Sequence, residues 1–162
     1  MPQQTSQSKN LRKSFFQKLE KLMEKDEKII LLYIDLGFSF VEKLIKRFPD
    51  RCINTGIIEQ AAIGVAAGLA LQGFKPYCYS AIPFLLMRTY EFIRDDVAYA
   101  NLNVKLIGYT QTGFLGFTHN LEGKENEEDL LKNLPNIKRY YPKTEKELGK
   151  ALKNNKPSFI KI

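Results

Sequence analysis

Residues 29–34, Ile-Ile-Leu-Leu-Tyr-Ile, are apolar at every position, and the run stops at Asp35-Leu36-Gly37. A strand with one wet face alternates apolar and polar side chains. A strand without alternation is buried on both faces, the habit of parallel sheets covered by helices above and below. This one run restricts the chain to a layered α/β architecture. The segment before it agrees: Leu11, Phe15, Leu19, Leu22 and Met23 recur at three- and four-residue steps among Lys and Glu, which predicts an amphipathic helix over residues 11–24.

The alternation continues. Residues 40–47 read as a helix closed by Pro49-Asp50, residues 52–54 as a short strand, and residues 59–71 as a helix stopped at Gly73. Strand 77–80, helix 84–99 and strand 104–109 follow, then a glycine-containing loop over residues 112–123. Helix 127–134, strand 137–141, helix 144–153 and strand 158–162 complete the order, and there is no internal repeat. Strands alternating with helices predict a three-layer αβα sandwich around a mostly parallel central sheet. Ligands in such sheets gather at the carboxyl ends of strands, here near Asp35, Asn54-Thr55-Gly56, Tyr79-Ser80 and Tyr109-Thr110.

Bulk properties narrow the function classes. With 162 residues, 44% hydrophobic and 27% charged, the chain builds one domain with a proper core. The polar residues 1–10 are expected to be a flexible N-terminus, leaving residues 11–162 as the domain. The net charge of +7 invites a nucleic-acid reading. The lysines, however, alternate with glutamates on helix faces, so no nucleic acid is expected, and anionic small molecules or an acidic partner subunit suit the charge equally well. Cys52 and Cys78 lack metal or disulfide spacing, and His119 is the only histidine, so no metal site is expected in this chain. Without a signal peptide or a membrane-length apolar run, the sequence reads as a soluble cytoplasmic protein.

The helix Glu59-Gln60-Ala61-Ala62-Ile63-Gly64-Val65-Ala66-Ala67-Gly68-Leu69-Ala70-Leu71 carries no charge after Glu59. Two interior glycines cost about 1 kcal/mol each relative to alanine, so close approach of another backbone is expected there. Glu59 itself has two readings. It complements the helix dipole, a contribution of about 0.3–1 kcal/mol. Or, flanked by Ile57 and Ile58, it is partly desolvated, which raises a carboxyl pKa and suits it to proton traffic.

Several ordered blocks then agree with one family. Asn54-Thr55-Gly56-Ile57-Ile58-Glu59-Gln60, the small-residue helix, Gly73 and Lys75-Pro76 resemble the central domain of the transketolase and deoxyxylulose phosphate synthase family. So do Pro83-Phe84-Leu85, Arg88-Thr89-Tyr90-Glu91, Asp96-Val97-Ala98-Tyr99, Leu102-Asn103-Val104-Lys105 and Gly116-Phe117-Thr118-His119. The resemblance implies the pyrimidine-binding domain of a thiamine diphosphate enzyme. In that family the glutamate matching Glu59 bonds a nitrogen of the aminopyrimidine, favouring the imino tautomer whose nitrogen deprotonates the thiazolium to the ylid. It implies further that Phe84 stacks on the pyrimidine, that Tyr79 and Ile82 line the same strand end, and that His119 lies near the substrate. Asp35 is expected near the cofactor across a subunit interface, with capping of the next helix as its alternative.

Two positions depart from the family. Leu115 replaces an aspartate suited to a sugar hydroxyl, and Asn120 replaces a second histidine. The family's Gly-Asp-Gly…Asn motif, which holds magnesium and the diphosphate, is absent, and the family's third domain has no counterpart by Ile162. The resemblance therefore implies a subunit of a split transketolase-like enzyme transferring a two-carbon ketol unit. Its diphosphate-binding partner would carry Mg2+, with an α2β2 heterotetramer expected. A two-chain 2-oxoacid decarboxylase or acyloin-forming enzyme is the alternative that Leu115 and Asn120 favour. A non-catalytic α/β binding module is the alternative of another class.

Overall fold

In the computed structural model, which describes residues 6–109 and 127–162, six strands form one sheet in the order β2-β1-β3-β4-β6-β5. The strands are β1 (Ile29–Tyr33), β2 (Cys52–Asn54), β3 (Lys75–Ala81), β4 (Lys105–Tyr109), β5 (Lys138–Tyr140) and β6 (Ser158–Lys161). All five pairings are parallel. The expectation of a mostly parallel sheet is thus met in its strictest form. The unbroken apolar run explains why: all five residues of β1 are buried, those of β4 likewise, so helices must cover both faces.

Side-chain alternation along the strands divides the core into two. Leu31, Tyr33, Tyr77, Tyr79, Ile107 and Tyr109 face helices α1 (Ser6–Met23), α2 (Glu42–Arg47) and α7 (Glu145–Leu152). Ile30, Leu32, Cys78, Leu106 and Phe159 face the other layer. That layer holds α3 (Glu59–Leu71), α4 (Ile82–Leu86), α5 (Tyr90–Phe92) and α6 (Glu127–Leu131). α1 starts at Ser6, ahead of the apolar periodicity, and buries Leu11, Phe15, Leu19 and Met23. α7 is fixed at its start by a capping box, with Thr144 accepting from the Glu147 backbone while the Glu147 carboxylate accepts from the Thr144 N–H.

One expected element is corrected. The continuous helix over 84–99 is broken: α4 ends at Leu86, α5 begins at Tyr90, and residues Ile93–Tyr99 wind as a π-helix. Thr89, completely buried, turns its hydroxyl back onto the Leu85 carbonyl, while its own carbonyl takes the Ile93 N–H at 2.9 Å. A side chain that competes for a helix carbonyl bends the ladder locally. The break re-aims the chain between α4 and α5, just where the family blocks Phe84 and Arg88 sit. Among the described residues no helix is long and apolar enough to cross a membrane, and no cluster of His, Cys, Asp or Glu is set to hold a metal ion.

Candidate active site

Glu59 is the first residue of α3 and is 2% exposed. Its burial does not come from its neighbours in sequence. Ile57 and Ile58 are 69% and 52% exposed, so the expected desolvation by flanking isoleucines is corrected: the body of the fold covers the carboxylate, and the isoleucines face outward. Gly56 makes this possible, since its φ of +70° turns the chain sharply between β2 and α3 at a value few other residues adopt.

Among the described residues the carboxylate meets one cation. Arg88 Nη1 lies 3.4 Å from both Glu59 oxygens, and the same guanidinium sits 4.1 Å from the centroid of the Phe84 ring. Glu59 opens α3, Phe84 belongs to α4 and Arg88 follows in the turn after α4. A single side chain therefore ties the expected proton-handling group to the expected stacking ring. Arg88 is 42% exposed at its side chain and Phe84 is half-buried, so this trio opens to solvent on one side. In the sequence, Arg88 reads as one more charge on a helix. Its spacing of four from Phe84 is the available signal, but its meeting with Glu59 is a contact between elements and leaves no local trace.

The other expected residues have surroundings of their own. Tyr79 is completely buried on the α1 side of the sheet, with Phe15 stacked at 5.8 Å, Phe16 edge-on at 5.2 Å and Tyr109 at 6.4 Å. Burial pushes its phenol pKa above the usual range. Alternation along β3 turns the ring into the core on the α1 side of the sheet. Ile82, the first residue of α4, is 2% exposed and packs into the core on the α3 side of the sheet. Asp35 does not cap α2, which begins at Glu42 behind Val41. Instead Asn54 bridges the ends of β1 and β2: its Oδ1 accepts from the N–H of Asp35 at 3.2 Å and of Gly56 at 2.9 Å, and its amide donates to Asp35 Oδ1 at 3.3 Å. This lattice braces the turn that delivers Glu59. His119, with Leu115 and Asn120, lies outside the described residues.

Among the described residues of this chain no other backbone closes on the α3 glycines. A Cβ built at Gly64 or Gly68 meets nothing within 4 Å. Val65 and Leu71 on the same helix are 50% and 68% exposed, so α3 presents an open, small-residue surface leading away from Glu59.

Comparison with known proteins identifies the domain. The model of the transketolase pyrimidine-binding domain matches residues 7–157. The chain belongs to that family. It is 32% identical over 161 residues to the SqwH subunit of a 6-deoxy-6-sulfo-D-fructose transketolase from Clostridium sp. (strain MSTE9), covering 94% of this chain and 49% of that protein. Over 107 residues it is 36% identical to an apulose-4-phosphate transketolase subunit from Actinobacillus succinogenes, covering 66% of this chain and 34% of that one. A solved split-gene transketolase, an inactive beta4 tetramer, superposes with a TM-score of 0.77 at 32% identity, covering 93% of this chain and 50% of that chain. The chain thus spans about half or less of the length of these relatives, and what it shares with them is the pyrimidine-binding domain of the transketolase family.

Proposed function

We propose that this chain is the pyrimidine-side subunit of a split transketolase-like enzyme, with Glu59 handling the activating proton of thiamine diphosphate. The observation that carries this reading is the buried Glu59 carboxylate, held at a helix start and met by the Arg88 guanidinium at a long 3.4 Å. A carboxylate so placed has hydrogen-bonding capacity to spare, and burying it without use is costly. When bound, thiamine diphosphate supplies a nucleophilic carbon that adds to a carbonyl and holds the resulting negative charge. Glu59 would hold or share a proton at a ring nitrogen of the aminopyrimidine. Phe84 would offer its half-buried face to the same ring, and Arg88 would keep both groups in register. His119 is proposed to act near the substrate, and Asp35 near the cofactor across the subunit interface.

The need for a partner rests on two features. The sequence has no Gly-Asp-Gly…Asn motif for Mg2+ and the diphosphate, so a second subunit would supply both, in an α2β2 assembly. The glycines of α3, unoccupied within this chain, suit the approach of that subunit's backbone, and exposed Ile57, Ile58 and Met87 flank the Glu59–Arg88 pair. Leu115 and Asn120, in place of the residues suited to sugar hydroxyls, favour a 2-oxoacid decarboxylase or acyloin-forming subunit as the second reading.

The test is reconstitution. The chain is co-expressed with the diphosphate-binding subunit that co-purifies with it, and donors of both classes are assayed. Glu59→Gln in that complex is expected to lower kcat by about 10²–10⁴-fold, the range for a lost acid–base group. A Glu59→Gln complex with full activity overturns both enzymatic readings. Tight binding of thiamine diphosphate and magnesium by this chain alone overturns the split site.

A further inference from the structure

At the opposite end of the strands from Glu59 lies a cavity of about 180 Å³. Its walls come from the amino ends of β1, β3 and β4 and the carboxyl ends of α1 and α7. Four lysines line it, Lys25, Lys75, Lys105 and Lys153, against the single carboxylate of Asp26. That carboxylate is committed: Lys75 Nζ reaches it at 2.6 Å and the Lys28 N–H at 3.0 Å.

Lys105 is the unusual member. It begins β4, is 2% exposed, and sits in a strand that is otherwise apolar. Its ammonium donates to Asn103 Oδ1 and, at 2.8 Å, to the Lys156 carbonyl. Both acceptors are neutral, and an ammonium has three donors, so one remains and no anion among the described residues answers the charge. Burial, and then the nearby Lys75 ammonium, push its pKa down to about 7. A buried cation of this kind lacks a counter-charge.

The bland account is that helix carboxyl ends attract cations. It covers Lys25 and Lys153, exposed beside the ends of α1 and α7, but not a buried lysine on a strand. A second cavity of about 250 Å³, lined by Lys18, Lys21, Lys25 and Lys153 among others, adjoins the first and extends the positive lining along α1. A compact cavity lined by four lysines, with one buried cation without an anion, matches a small polyvalent oxyanion rather than a large ligand.

We propose that this cavity binds a phosphate group, with Lys105 at its floor and Lys25, Lys75 and Lys153 around its mouth. The site is separate from the Glu59 face and does not depend on the thiamine reading. Either free phosphate or a phosphate monoester would provide the group.

The test titrates the full chain, in low-salt buffer at neutral pH, with inorganic phosphate and, in a parallel arm, glycerol 3-phosphate. Calorimetry gives affinity, and amide shifts of residues 103–106 and 154 give location. Saturable binding is expected, weakened about tenfold or more in Lys105→Met. Lys75→Met, at the mouth and half-exposed, is expected to weaken binding several-fold, while Lys46→Met on α2 leaves it unchanged. Stronger binding of glycerol 3-phosphate identifies a phosphorylated metabolite as the source; equal or weaker binding identifies free phosphate. Absence of saturable binding by the native chain overturns the proposal. So does equal weakening in Lys46→Met, which marks diffuse charge attraction. Should Lys105→Met not fold, Lys75→Met with unaltered affinity and unmoved amides at residues 103–106 overturns it as well.

Discussion

Gly108 sits in β4, between β3 and β6, with no room beside it. A Cβ at this position would lie 2.6 Å from Phe159 Cε2, 2.9 Å from Phe159 Cζ and 2.7 Å from Ile82 Cγ1. Its backbone is ordinary strand, so alanine meets no conformational strain, and in open space that substitution would stabilise by about 0.4–1 kcal/mol through the unfolded chain. Sterics oppose this. Phe159 is completely buried and Ile82 nearly so, which leaves neither a direction of retreat. Overpacking of such a site costs about 1–3 kcal/mol. For a domain of this size each kcal/mol moves Tm by about 2–4 °C, so Gly108→Ala is expected to melt about 2–12 °C below the native chain. Scanning calorimetry with a reversibility check reads this directly. Because Ile82 opens α4, the displacement also reaches Phe84, and affinity for thiamine diphosphate in the reconstituted complex should fall alongside. A variant that melts at or above the native temperature refutes the packing argument, since the backbone benefit would then have prevailed.

Other contacts give further expectations. Thr144→Ala removes the capping box of α7 and should cost about 1 kcal/mol, seen as a drop of about 2–4 °C in Tm; no change would place the start of α7 outside the cooperative unit. Cys52 and Cys78 have thiols pushed up by burial to about 11 and about 12, so both should resist a thiol-specific chromogenic reagent at pH 8 until denaturant is added. Lys105 has a folded pKa near 7 against an ordinary 10.5, so the unfolded chain binds the extra proton between those values. Its penalty is therefore complete below about pH 7 and fades as pH rises toward 10.5. In phosphate-free buffer, Lys105→Met should gain stability over the native chain at pH 6 and lose that advantage by pH 10; a pH-independent difference would mean packing alone sets it. Arg88→Met in the reconstituted complex should raise the KM for thiamine diphosphate more than it lowers kcat, and an unchanged KM would remove Arg88 from the site.

The layers are legible in the sequence because β1 is apolar throughout, β4 is apolar after Lys105, and α1 keeps a strict helical period. The same property hides the direction of Tyr79. A strand buried on both faces carries no period of two, so nothing in the sequence says which side a given residue takes. The break at Thr89 is hidden for a different reason: a threonine hydroxyl that bonds its own helix is indistinguishable, by spacing, from one that does not. Glu59 is legible through its position after Gly56, yet the source of its burial is not, because the covering residues come from distant elements. Lys105 carries a faint signal of its own: one cation at the head of an apolar strand.

The bridge that Arg88 makes between Phe84 and Glu59 has an entropic consequence. A side chain immobilised at a binding surface gives up about 0.5–1.5 kcal/mol of rotamer freedom. Here that loss falls due when the chain folds, because ring, guanidinium and carboxylate already restrain one another across two helices. A ligand arriving at this face meets groups whose searching is over.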